Sequence, residues 1–442
     1  MNKVKTRALS VLLLVIVAIV GIGFYVVRYV ISGDEWASAP FNSTVFRRGV
    51  LAVGIVTDRN SVVLADVTDG RRTFAESRDV RRSTLHVVGD MEGNIGTGAL
   101  TVYAPELMGY NLITGSYSRT GEGRRISLTI DSRLNAAAFR ALDGRRGVVL
   151  VSNYKTGEVL CMVSSPTFDP GDPPANLDTP AYEGVYLNRA IQSVYTPGST
   201  FKLVTAAAAI EQVSNIYDRV FVCTGEQDIG GGRLTCPGEH GSIGFERGMQ
   251  VSCNIVFGEL ALEMGADTMA RYAERYGLSG RTTVGGITTA RGNFDKAQPD
   301  SLNLAWSGVG QFNNTVCPAS MLRFVSAIAN EGNAVELQLL KRSGISAFIP
   351  QRTERVLNRG TASELGHIIE IQNRDNFPGL DIHAKSGTAQ VGGGRDPHAW
   401  YVGYITNDNY PLAFVVIVEN GGGGTAVAGP IANRVLQEAI SG

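Results

Sequence analysis

Residues 8–27 of this chain carry no charged side chain, and Arg7 and Arg28 close the run on either side. A helix rises about 1.5 Å per residue, so the run can span the roughly 30 Å hydrocarbon core of a bilayer. A secretory leader has a shorter apolar region, about 7–15 residues, and Trp36-Ala37-Ser38-Ala39 is a weak cleavage site. The run is therefore expected to persist as an anchor. Lys3, Lys5 and Arg7 precede it, and the positive-inside rule then holds the N-terminus in the cytoplasm. Residues beyond about 31 are expected outside the membrane, with Tyr25, Tyr29 and Trp36 suited to its outer interface.

That location permits disulfides. Cys223 and Cys236 flank Asp228-Ile229-Gly230-Gly231-Gly232, and are candidates for a loop-stapling disulfide. A zinc site built from Cys223, Cys236 and His240 lacks a fourth ligand at a typical spacing, so no metal is expected. Cys161 sits in an alternating apolar run and is expected to be a buried thiol. The net charge of −1 gives no basis for a nucleic-acid partner. The 53 glycines follow no period and read as turns and loops.

The 442 residues leave room for two or three folding units. We divide them into a tail (1–7), an anchor (8–31), a small irregular domain (32–124) and a larger domain (125–442). In the small domain, β-like runs are expected at residues 50–57, 61–65 and 84–88. Residues 146–152 and 158–164, separated by Asn153-Tyr154-Lys155-Thr156-Gly157, read as a hairpin. Helices are expected at 201–210, 257–276 and 318–330. Three strand-like runs follow at 381–390, 399–405 and 412–418, then a closing helix at 431–440. Strands at both ends and helices between them predict an α+β domain, with one sheet assembled from the two ends and covered by helices.

Three short motifs carry the chemistry. In Ser199-Thr200-Phe201-Lys202, preceded by Tyr195-Thr196-Pro197-Gly198, the proline and glycine break the chain and begin a helix. Ser199 then lies near a positive helix end, and Lys202 shares its face at i+3. A desolvated lysine there can lose its charge and accept the serine proton. Alone this spacing is weak, since a capping serine followed by a solvated lysine looks the same. Ser252-Cys253-Asn254 by itself has almost no specificity. Lys385-Ser386-Gly387-Thr388 lies in a strand-like run, where the lysine would meet a carboxylate and Gly387 would admit a substrate backbone; an edge strand with a solubilising lysine reads alike.

Together and in this order, S-x-x-K, S-x-N and K-[ST]-G resemble the active-site serine enzymes that recognise D-Ala-D-Ala or β-lactams. Further segments are similar to the class B penicillin-binding proteins: Thr156-Gly157-Glu158-Val159-Leu160, Ser165-Pro166-Thr167-Phe168-Asp169-Pro170, Asn188-Arg189-Ala190, Gly310-Gln311, Ala329-Asn330-Glu331-Gly332 and His398-Ala399-Trp400-Tyr401-Val402-Gly403. Arg48-Gly49 and Asp58-Arg59-Asn60 resemble that family's pedestal signature, with about seven extra residues between them. The resemblance implies a serine transpeptidase/β-lactamase-like domain on a β-rich pedestal. It also implies a peptidoglycan D,D-transpeptidase that cross-links stem peptides ending in D-Ala-D-Ala through an acyl-serine, and is acylated by β-lactams.

By the same resemblance, Ser199 is the nucleophile, Lys202 its base, and Ser252 and Asn254 the facing wall. Lys385 supplies charge, and Ser386, Gly387 and Thr388 contact substrate. No cofactor is implied; the membrane and a SEDS-type glycan polymerase are the implied partners. A Ser-His-Asp hydrolase is disfavoured because the chain has no G-x-S-x-G elbow, and His383 reads as a structural strand residue. A D,D-carboxypeptidase, a β-lactamase or an inactive scaffold stays open at this point. The division, elongation or sporulation role is not legible.

Overall fold

The computed structural model describes residues 2–37, 46–47, 50–51, 53–68, 71–109, 123–342, 350–369 and 377–441. The Arg48-Gly49 pair lies outside the described residues. Helix α1 (Asn2–Ala37) contains an apolar span, Arg7–Ile31, with mean hydropathy 2.9 and an apolar window of which nothing is buried. Among the described residues it is the helix long and apolar enough to cross a membrane. An unpacked apolar surface of this size is stable only in lipid or against a partner.

Beyond the anchor, β1 (Ile55–Thr57), β2 (Val63–Thr68) and β3 (Arg71–Phe74) pair antiparallel, and β4 (Arg125–Ser127) joins β1 in parallel. Residues 84–88, expected as a strand, are the last turns of helix α2 (Arg78–Val88). A five-residue run made mostly of apolar and β-branched residues cannot distinguish a strand from the buried end of a helix. The deciding signals lie upstream: Ser77 accepts from Val80 N, and Asp79 sits in the first turn. Asp58 is buried and satisfied on both oxygens. Oδ1 accepts from Asn60 N and Val62 N, and Oδ2 accepts from the N–H and hydroxyl of Ser132. It thereby ties the turn after β1 to the start of α3 (Ser132–Leu142).

The larger sheet is built from both ends of the 125–442 stretch. Strands β5 (Gly147–Asn153) and β6 (Val159–Ser165) form the expected hairpin. Helix α4 (Lys202–Gln212) follows a 3₁₀ turn, Gly198–Phe201. Four short strands come next: β7 (Val220–Cys223), β8 (Glu226–Ile229), β9 (Gly232–Thr235) and β10 (Gly241–Gly244), with β8 on β9 and β7 on β10. The single helix expected over 257–276 is two, α5 (Asn254–Met264) and α6 (Ala266–Arg275), broken at Gly265 with φ +78°. Helix α7 (Pro318–Ala329) precedes β11 (Ile382–Ala389), β12 (His398–Ile405), β13 (Leu412–Val418) and α8 (Gly429–Ser441).

The sheet order is β11-β12-β13-β5-β6, antiparallel throughout. Alternation along β13 explains how it is covered. Val415 and Ile417 face a core shared with α4 and α7, whereas Phe414, Val416 and Val418 face α3 and α8. A strand buried on both faces needs an unbroken apolar run, and Leu412–Val418 is one. Strand β11 lies at the edge, so its outer rim carries no sheet partner.

Candidate active site

The serine turn meets the edge strand. Gly198 has φ +54°, and a Cβ there would lie 3.0 Å from both Thr388 O and Ala389 Cα. Gly198 N donates to Gly310 O at 2.9 Å, and Thr200 Oγ1 donates to Pro197 O at 2.8 Å. Trp400, fully buried on β12, donates Nε1–H to Thr196 O at 3.0 Å. These contacts clamp the turn from both sides. Side chains at i and i+3 nearly eclipse in a 3₁₀ turn, so Ser199 and Lys202 point to one side of it. Ser199 is half-buried, and Lys202 is fully buried as the first residue of α4.

Lys202 Nζ donates to Ser252 O at 2.6 Å and Asn254 Oδ1 at 2.7 Å, and lies 3.1 Å from Ser252 Oγ. From the other side, Lys385 Nζ donates to the same Ser252 Oγ at 3.0 Å and to Ser386 O at 3.0 Å. One hydroxyl thus sits between two lysines. Burial, and then the neighbouring charge of Lys385, push Lys202 well below its ordinary range. Burial alone brings Lys385 down to about 8. Two adjacent ammonium groups in a buried site repel, which favours a neutral Lys202 beside a charged Lys385.

The wall opposite has its own supports. Ser252 adopts φ +54°, a conformation uncommon for a residue with a side chain. Asn254 Nδ2 donates to Thr235 O at 2.8 Å, leaving Oδ1 turned to Lys202. Among the sequence-expected substrate residues, Thr388 is exposed, Ser386 half-buried and Gly387 buried. The reason for Gly387 differs from the expected one. A Cβ there would sit 2.9 Å from Pro197 O and Thr200 Cγ2, and 3.1 Å from Trp400 Cβ, so it is the serine turn that requires glycine. Lys202, Ser252, Asn254 and Lys385 are joined by hydrogen bonds, and the turn that carries Ser199 leads into Lys202 and packs against the strand of Ser386, Gly387 and Thr388.

Sequence reasoning missed the group behind the serine turn. Glu419 accepts from Arg189 Nε at 2.8 Å and from the Tyr195 hydroxyl at 2.7 Å, and the Arg189 and Glu419 side chains are only 6% and 17% exposed. Tyr195 packs edge-on against His398 and Trp400. Removing one member of such a pair strands the other in a dry site. We expect Glu419→Ala to lower unfolding stability by about 3 kcal/mol. A denaturant midpoint equal to wild type would mean that the pair holds nothing.

The disulfide expected between Cys223 and Cys236 is not formed; all five cysteines are free thiols. The glycine-rich stretch between them is a hairpin, β8–β9, which brings both near His240 and Cys253 rather than closing a staple. Cys161 is buried as expected, and His383 is structural, its Nδ1 meeting Gly366 O and its ring stacked on Tyr404.

The profile of the family described as the penicillin binding protein transpeptidase domain matches residues 147–437. The chain belongs to this family. Among relatives of this penicillin-binding protein is the peptidoglycan D,D-transpeptidase PbpA of Mycobacterium tuberculosis, 27% identical over 386 residues and aligned over 76% of each chain. Another is the stage V sporulation protein D of Bacillus subtilis, 28% identical over 357 residues, covering 73% of this chain and 54% of that protein. The crystal structure of PBPA from M. tuberculosis superposes with TM-score 0.77 at 25% identity, covering 88% of this chain and 99% of that one. The D,D-transpeptidase domain from Eggerthella lenta superposes with TM-score 0.74 at 26% identity, covering 88% and 98%. These relatives place the chain with the class B penicillin-binding proteins, and its apolar N-terminal helix fits a membrane-anchored protein.

Proposed function

We infer that this protein is a peptidoglycan D,D-transpeptidase. The observation that carries the reading is the hydrogen-bonded chain Lys385–Ser252–Lys202–Asn254, in which Lys202 closes the turn that carries Ser199. Ser199 attacks the carbonyl of the penultimate D-Ala of a stem peptide, and the terminal D-Ala leaves. A neutral Lys202 has two hydrogens and one lone pair. The hydrogens fit Ser252 O and Asn254 Oδ1, the two shortest contacts, and the remaining lone pair takes the proton of Ser199, which shares its side of the 3₁₀ turn. Ser252 relays a proton to the leaving nitrogen. Lys385 stays charged and, with Ser386 and Thr388, holds the terminal carboxylate.

The backbone N–H groups of Ser199 and Thr388 form the oxyanion hole, a contribution of about 100-fold or more in rate. An amine from a neighbouring stem peptide then attacks the acyl-enzyme, and a β-lactam stops at that stage. The catalytic domain, residues 125–442, stands outside the cytoplasmic membrane on a pedestal of residues 32–124, with the N-terminus inside. Such a placement favours work beside a SEDS-type glycan polymerase in the same membrane.

The test is intact-mass and peptide-mapping spectrometry of the detergent-solubilised full chain after incubation with benzylpenicillin. One drug mass on the peptide that contains Ser199 is the expected result. A folded protein that takes no adduct, or that hydrolyses the drug without accumulating one, would overturn the reading, the second outcome pointing to a β-lactamase.

A further inference from the structure

Cys253 occupies the middle position of the Ser252-Cys253-Asn254 turn, and its thiol points away from the cleft into a cluster of other soft ligands. Cys223 ends β7, Cys236 follows β9, and His240 precedes β10. The three sulfurs and a ring nitrogen of His240 all lie within 4.8 Å of one another. Cys223 Sγ and Cys236 Sγ lie 3.4 and 3.5 Å from His240 Nδ1, and Cys236 Sγ lies 3.8 Å from Cys253 Sγ.

These separations have the size of tetrahedron edges. With Zn–S near 2.3 Å and Zn–N near 2.0–2.1 Å, a tetrahedral site has S···S edges of roughly 3.8 Å and S···N edges of roughly 3.5 Å. A disulfide needs its sulfurs at about 2.05 Å. The arrangement is that of a metal cage with four protein ligands and no position left for water, as in structural zinc sites. The fourth ligand was invisible in the sequence because Cys253 comes from a different element than the hairpins that carry the other three.

We propose that Cys223, Cys236, His240 and Cys253 bind one Zn²⁺ ion, which fastens the Ser252-Cys253-Asn254 turn to the β7–β10 hairpins. Three thiolates and one imidazole in tetrahedral array select zinc over harder divalent ions such as Mg²⁺ or Ca²⁺. The surrounding shell suits a thiolate: Asn254 N donates to Cys236 Sγ at 3.3 Å, and Asn254 Nδ2 donates to Thr235 O beside it. The consequence for the cleft follows from connectivity. Ser252 and Asn254 flank the ligand Cys253 directly, and both touch Lys202. Fixing Cys253 holds Ser252 in its left-handed conformation and Asn254 Oδ1 on the amine. The ion is a positioning element here and takes no part in bond making.

The test is metal analysis of the full chain, purified without added metal, together with alkylation under denaturing conditions. The expected result is about one zinc per chain, with all five cysteines alkylated once the ion is chelated. After chelation, Co²⁺ should give the intense visible bands of a tetrahedral thiolate site. Cys223→Ser, which changes a ligand remote from the cleft, should reduce bound zinc at least tenfold and slow benzylpenicillin acylation about tenfold. A Cys161→Ala control, altering a thiol outside the cluster, should keep its zinc. The proposal is overturned if wild type carries no stoichiometric zinc and gives no cobalt bands. It is equally overturned if two of the three ligand cysteines resist alkylation as a disulfide. The metal and cobalt readouts do not depend on the reaction catalysed, so their failure is separable from failure of the transpeptidase reading.

Discussion

Lys202→Met should slow acylation of Ser199 by benzylpenicillin roughly 1000-fold, within the range of removing a general base, while Ser199→Ala takes no adduct at all. Methionine matches the volume of lysine and leaves the helix start intact, so the loss reports the amine and not the packing. A second readout separates a neutral Lys202 from a charged one. Free in the unfolded chain, the lysine holds its proton up to about 10.5, whereas in the fold it releases the proton at a much lower pH. Between those two values the unfolded state binds more protons at this site, so below pH 8, where Lys385 still holds its own proton, Lys202 should add about 1.4 kcal/mol of stability per pH unit. Lys202→Met should lose that slope. Acylation within tenfold of wild type in Lys202→Met, or an unchanged slope, would reassign the base. Urea unfolding at several pH values, beside stopped-flow acylation, gives both answers.

The acylation rate against pH should be bell-shaped. On the acid side the rate climbs as Lys202 loses its proton. On the alkaline side it should fall about tenfold per unit above pH 8, where Lys385 loses the charge that holds the substrate carboxylate. Ser252 is the hydroxyl facing both amines, so these two titrations are the ones that bear on it. Lys385→Arg cannot be deprotonated in this range, and should move the falling limb beyond pH 10 even if the plateau drops. A wild-type rate that stays level from pH 8 to 10 would remove Lys385 from this role.

Much of the fold was legible because the informative residues lie close together in the chain. The apolar run Leu412–Val418 marks a strand buried on both faces, and the hairpin around Asn153-Tyr154-Lys155-Thr156-Gly157 announces itself by its turn residues. The three motifs were legible by their order, though the tightness of their meeting was not. Nothing in the sequence near Gly387 says that Pro197 O will come within 2.9 Å of a methyl placed there. The Arg189–Glu419 pair was hidden for a related reason: an ionic contact between residues 230 positions apart leaves no periodic trace. Helix α2 was missed because its capping signal, Ser77 and Asp79, precedes the β-branched residues that attracted attention.

Strand β13 lies third in a five-stranded sheet, yet the chain reaches it about 260 residues after β5, the neighbour it pairs with. A polypeptide synthesised from its N-terminus presents β5 before β11, β12 and β13, as a hairpin with β6 whose inner edge has no companion. The serine turn, leaning on β11 and Trp400 from one side, lacks that support until those late strands arrive. Assembly of the cleft is therefore a terminal event in biogenesis, and the long interval of open strand edge is where chaperones and proteases have their opportunity.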